Sequence, residues 1–290
     1  MECKTTLGKG GQAEGRTDET AGVRTSIAFP ADPAAAQAAW AVLATELAAW
    51  AALDRQARLW WRDDDAVAPS PALDRLLRIR RDIPLTLAVI PAEADPALAD
   101  RLAATSGITV VQHGIAHHNH AGPGEKKIEL GGTASTPTLR AGLIRGRERL
   151  EALFADQFDP VLVPPWNRIR ADLAASLGSL GLRALSATPS TKTDPDSPLP
   201  RLDIEVDPVA WRAGKGVRPT AEVAAQMAAL LAERRMSGAF DRPLGFLTHH
   251  RLDSPEVEAL ARSLEHLTRD HPGCRWIRLG DGLGRSPCDP

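Results

Sequence analysis

Apolar positions recur along this chain in two alternating rhythms. After an Asp32-Pro33 start, an alanine-rich stretch carries Trp40, Leu43, Leu47 and Trp50 at helical spacing. That pattern predicts a helix packed on the outside of a domain. From there short apolar runs and amphipathic stretches follow one another. Runs at 58–62, 85–90, 108–111, 160–163, 183–186, 202–206, 244–248 and 275–279 read as strands. Stretches at 70–81, 96–105, 137–154, 171–180, 220–236 and 254–269 read as helices, the first opened by Ser70-Pro71.

Strands alternating with amphipathic helices specify a parallel sheet. This many units favour a closed or nearly closed β/α barrel over an open doubly wound sheet. No G-x-G-x-x-G or P-loop pattern follows the first strand, so the phosphate cradle of a nucleotide fold is missing. Loops over 119–136 and 187–201 are rich in Gly, Pro, Ser and Thr and long enough to serve as binding lids.

Composition narrows the class without naming it. Of 290 residues, 43% are hydrophobic and 25% charged, which is globular rather than disordered composition. Lys and Arg number 35 against 37 Asp and Glu, so a net charge of −2 draws the chain to neither nucleic acid nor anionic lipid. No apolar run approaches the ~18 residues of a membrane span. The cysteines at 3, 274 and 288 form no C-x-x-C pair, so neither a disulfide framework nor a thiolate metal site is expected. The polar start lacks a secretory apolar core. It reads as a disordered tail over 1–28 of a cytoplasmic protein, with one barrel domain over 29–285.

Histidine is the unevenly distributed residue, with four of the eight falling within 113–120. In a β/α barrel the active site gathers at the carboxyl ends of the strands. Five polar groups stand there: Asp63-Asp64-Asp65, the segment from His113 to His118, Pro164-Pro165-Trp166-Asn167-Arg168, Asp207, and His249-His250. Alone, an aspartate run is usually a turn or a helix cap. Their shared position on one barrel face is the stronger observation.

Histidines four apart can lie on one side of a helical turn, so His113 and His117 can reach one ion, with His118 and His120 as competitors. One carboxylate completes a two-His, one-carboxylate face with open positions. Such a face suits Zn²⁺, or Co²⁺, Ni²⁺ or Mn²⁺, acting on a carbonyl. A second carboxylate would take a proton from water and a histidine opposite would protonate the leaving group. That is an inventory for hydrolysing an amide or ester.

Strand-Asp-Asp, H-x-x-x-H, Pro-Pro-Trp, Asp-x-x-x-Trp and Leu-x-His, in that order over roughly Leu59 to His250, resemble the polysaccharide deacetylase family. The resemblance implies a distorted (β/α)7 barrel, here with an extra N-terminal helix, and one divalent metal ion. It makes Asp63 the catalytic base, Asp64, His113 and His117 the metal ligands, and His249 the general acid. Asp207 would orient His249, Trp211 would line its pocket, and Pro165 and Trp166 would form the substrate wall. Three positions depart from the family pattern. Val163 stands where the family has an arginine paired with the catalytic Asp, and Arg168 or Arg62 is the substitute. Asp65 replaces a glycine and adds a carboxylate for metal or substrate. Gly114 replaces a Ser or Thr. The implied activity is removal of acetyl groups from an N-acetylated sugar or polysaccharide. The alternatives are a deacylase of a small N-acyl metabolite, or a carbohydrate-binding barrel that has lost catalysis.

Overall fold

The alternation of apolar runs and amphipathic stretches folds as a curled parallel sheet ringed by helices. The computed structural model describes residues 33–193, 199–211 and 216–284. The tail read over 1–28, together with 29–32 and 285, lies outside them. Helix α1 (Pro33–Ala52) leads into β1 (Ala57–Ala66), α2 (Pro71–Arg80), β2 (Leu85–Val89), α3 (Pro96–Ala103) and β3 (Ile108–His113). Then come α4 (Thr136–Phe154), β4 (Phe158–Val163), α5 (Ala171–Ser176) and β5 (Ala184–Leu185). A short antiparallel pair, β6 (Val209–Ala210) and β7 (Gly216–Val217), precedes α6 (Thr220–Ser237), β8 (Leu244–Thr248), α7 (Pro255–Thr268), β9 (Cys274–Trp276) and α8 (Leu279–Leu283).

Helix starts follow local chemistry. Ser70, Asp95, Ser135 and Ser254 each accept an amide of the first turn, and each is followed by proline within two residues. The main sheet runs β5-β4-β3-β2-β1-β8 with every pair parallel, and β9 lies along the start of β1. The stretch 202–206, expected as a strand, is too irregular to be one. Asp203 takes the Ala187 amide that a ladder partner would otherwise accept. The segment nevertheless bridges the two edges: Arg201 pairs with Leu185, and Val206 with Phe246. The sheet therefore closes as a distorted barrel, the expected class.

Two apolar layers hold it. Trp60, Val111, Val161, Val163, Leu202 and Leu247 fill the barrel, while Leu59, Trp61, Leu85, Leu87 and Phe246 face the helices. Each such side chain contributes roughly 1.5–3 kcal/mol on burial. Helix α1 docks on this outer layer through Leu43, Leu47 and Trp50, and the Trp50 indole donates to the Leu231 carbonyl at 3.3 Å. Trp276 packs against Trp61 at 6.0 Å. Among the described residues no helix is long and apolar enough to cross a membrane.

Candidate metal centre

Strand β1 sorts its own side chains. Trp60, Arg62 and Asp64 alternate into the barrel, whereas Leu59, Trp61 and Asp63 alternate toward the helices. Strict alternation would send Asp65 outward with Asp63. Instead the β1–β2 register slips between Asp63 and Ala66, and Asp65 adopts φ 74°. A bulge of this kind re-aims a side chain, and Asp64 and Asp65 consequently face one site.

The three aspartates are therefore placed differently from one another. Asp63, expected as the base, is sealed behind the site. Its carboxylate accepts from the Thr248 hydroxyl at 2.6 Å and the His250 amide at 3.0 Å, and it pairs with the His250 ring. Asp64, expected as a metal ligand, is 3% exposed and held by the Arg62 fork at 2.8 and 3.0 Å. The same guanidinium donates to Ser186 at 2.8 Å and Asn167 at 3.1 Å, tying the ends of three strands together. Of the two arginines expected as substitutes, Arg62 is the one that pairs with an aspartate of the run, Asp64. Arg168 points elsewhere, to the Lys127 carbonyl at 2.8 Å.

The carboxylate that meets the histidines is that of Asp65. Its Oδ1 lies 3.0 Å from His113 Nε2 and 3.4 Å from His117 Nε2, and the three donor atoms fall within 4.8 Å of one another. Ligands bound at about 2.0–2.1 Å in a tetrahedron stand about 3.3 Å apart, so the two Asp65–histidine separations suit a zinc-sized ion. The ring of His113 is held in orientation by its Nδ1, which donates to the Val163 carbonyl at 3.0 Å and keeps Nε2 directed at Asp65. His118 is exposed, and His120 Nδ1 binds the Glu129 carbonyl at 2.7 Å, so neither joins the trio.

His113 and His117 do not sit on a helical turn. Beyond β3 the chain bends through left-handed residues, Gly114 at φ 60° and His117 at φ 58°. A non-glycine residue in that region costs about 1–2 kcal/mol. Trp166 and Asn167, each at φ 53°, carry the same cost in the Pro-Pro-Trp wall. The Trp166 ring lies 4.4 Å from that of His117, and the Lys127 ammonium stands 5.7 Å over the indole. Pro165 is buried beside Gly114.

Across the site stands His249. Trp211, 43% exposed, meets it edge-on at 4.8 Å. Asp207 accepts from the Val209 amide at 2.8 Å and the Trp211 indole at 2.7 Å. Each of its oxygens takes one of these bonds, and Asp207, expected to orient His249, meets it here through charge and through the shared neighbour Trp211. His249 Nδ1 is buried without a hydrogen-bond partner among the described residues.

Titration follows these contacts. Burial alone would raise the Asp65 carboxyl, but the His113 hydrogen bond and the charges of His113, His249 and His117 hold it well below the usual range. Burial opposes charge on His113, and Asp65 and Asp64 overcome it, raising its pKa. His117 is lowered by burial and by His113, against the pull of Asp65, Glu129 and Asp64. Asp207 is pushed up by burial, with His249 opposing. His250 is raised because Asp63 outweighs the effect of burial.

No family model matches the sequence, and no curated protein matches it. Solved structures do match. The Bc1960 peptidoglycan N-acetylglucosamine deacetylase is 18% identical, with a TM-score of 0.50 over 80% of this chain and 90% of its own. A Mycobacterium smegmatis protein described as a polysaccharide deacetylase is 19% identical, with a TM-score of 0.55 over 75% and 86% of the two chains. This chain has the polysaccharide deacetylase fold. Ser186 and Glu129 carry no role in the sequence reading, and Asn167 and His250, noted there only as members of polar groups, gain definite partners in Arg62 and Asp63. Glu129 had a visible signal, an acid directly before Leu130-Gly131-Gly132 in the long loop.

Proposed function

We propose that this chain is a metal-dependent hydrolase removing acetyl, or a related acyl group, from an N-acylated sugar or polysaccharide. One observation carries the reading: Asp65, His113 and His117 converge beside a second carboxylate, Asp64, with His249 facing them. The donor set fits one divalent ion, zinc first. Such an ion, when bound, supplies a Lewis acid for the acyl carbonyl.

The roles of the aspartates shift by one residue from the family register. Asp65 becomes the ligand, Asp64 the base and Asp63 a support. Asp64 takes a proton from the attacking water as the water oxygen joins the carbonyl carbon. The Arg62 fork holds that carboxylate in one orientation. His249 gives a proton to the departing nitrogen as the C–N bond breaks, releasing the acyl group as a carboxylate. Trp166 and Trp211 flank the two histidine sides and shape the mouth. The reaction so read is cytoplasmic, which fractionation of expressing cells tests.

The direct test is acetate release by zinc-loaded protein from N-acetylated chito-oligosaccharides and from soluble small N-acyl compounds. Release that a chelator abolishes and zinc restores is the expected result. Turnover of small compounds alone moves the substrate to an N-acyl metabolite. Sugar affinity without turnover, unchanged in His249→Ala, marks a lapsed barrel. No release from any substrate by the loaded protein overturns the hydrolase reading.

A further inference from the structure

The loop joining the two ligand histidines has no helical hydrogen bonds to shape it. Among the described residues, its amides instead converge on one side chain far along the sequence. Glu129, 1% exposed, accepts from Ile115 N at 2.9 Å through Oε2, and from Ala116 N at 2.7 Å and His118 N at 3.1 Å through Oε1. The amides on both sides of His117 are therefore fixed by one carboxylate. Successive N–H groups turned toward one anion form a backbone nest, and here the anion is built into the chain.

Glu129 is itself anchored. Its carbonyl accepts from His120 Nδ1 at 2.7 Å, and the next residue, Leu130, is buried and bridges to Ile169. Space for the carboxylate comes from Gly114. A Cβ there would lie 2.1 Å from Glu129 Oε2 and 2.5 Å from Pro165 Cγ, and the backbone is left-handed at that point. No other residue type at 114 is compatible with Glu129 in this position.

We propose that Glu129 is the positioning residue of the metal-binding loop, shaping the backbone that turns His117 toward His113 and Asp65, with Gly114 as the gap that admits it. The inference rests on the metal-site reading above. Glu129 touches neither ion nor substrate and acts through three amides. Outer partners of this kind change metal affinity by roughly 10–100-fold when removed.

The test pairs two readouts on the full chain. Zinc affinity is measured by competition with a chromophoric chelator in the wild type, Glu129→Gln, Glu129→Ala and Glu125→Gln. Glu125 is a control from the same loop, exposed, its carboxylate accepting from the Gly122 amide at 2.9 Å. Amide hydrogen exchange is followed in the metal-free proteins. Glu129→Gln keeps the shape but sets an NH₂ group against an amide, so zinc affinity falls on the order of 10-fold and exchange quickens at 115–118. Glu129→Ala loses more, and Glu125→Gln matches the wild type. If Glu129→Ala fails to fold, Glu129→Gln carries the comparison. Wild-type affinity and unchanged exchange at 115–118 in Glu129→Gln overturn the proposal. A wild type that binds no zinc sinks the metal reading instead, and exchange at these amides then decides whether Glu129 shapes the loop.

Discussion

Two acid–histidine groups lie back to back on β1, two residues apart, and only one of them has the makings of a reactive site. Asp63 and His250 sit on the outer face, and every hydrogen-bonding direction of the Asp63 carboxylate that the fold reaches is filled by Thr248 and His250. Asp65 meets His113 and His117 on the inner face with its side chain 26% exposed and ring nitrogens sharing one oxygen. The residue types are the same. What differs is satisfaction: the outer pair is complete and sealed, whereas the inner trio has donor atoms converging on a point where no protein atom answers all of them. Buried, complete pairs hold a fold together, and convergent, incomplete ones bind ions.

Substitutions can break or sharpen this contrast. The largest effect belongs to Asp64→Asn, which should lower turnover on the order of 10²–10⁴-fold while zinc content is unchanged, as read by steady-state rates and metal analysis. Next comes Asp63→Asn. It leaves His250 and Thr248 short of their partner in the core and should cost about 3–5 kcal/mol in denaturant unfolding, with one ion per folded chain retained. Arg62→Lys removes the two-pronged grip on Asp64. Losing one charge-assisted hydrogen bond is worth about 1.5–3 kcal/mol, so turnover should fall on the order of 10–100-fold with zinc affinity little altered. The smallest effect is at Cys274. Burial pushes its thiol up to about 12, so an alkylating reagent at pH 8 should leave it unmodified until the protein is unfolded.

The architecture was legible because its evidence is periodic. Apolar runs flanked by Ser-Pro and Asp-Pro starts located β2, β3, β4, β8 and the helices between them. The stretch 202–206 looked like a strand because it is apolar enough to be buried, yet its Asp203 competes for ladder amides and breaks the regular pairing. The β6–β7 pair, at two residues a side, is too short to leave a periodic trace.

The site was legible in outline, whereas the proposed roles of its aspartates move by one residue. The gathering of polar groups at strand ends follows from topology, and the structure brings His113, His117, His249, Asp207, Trp211 and Trp166 to that face. Which aspartate does what depends on a bulge at Asp65, and three identical letters carry no mark of where a strand slips. The sequence left Arg62 and Arg168 open as partners for an aspartate, and only the folded chain shows Arg62 on Asp64 and Arg168 on the Lys127 carbonyl. The His113–His117 spacing predicted a shared ion through helical geometry, whereas left-handed turns supply the approach.

The shift in aspartate register is tested most directly by zinc stoichiometry in Asp64→Asn and Asp65→Asn, purified side by side and loaded identically. Asp64→Asn should hold one ion per chain and turn over little, and Asp65→Asn should lose the ion. An Asp64→Asn protein empty of zinc beside an Asp65→Asn protein that retains it would contradict the assignment.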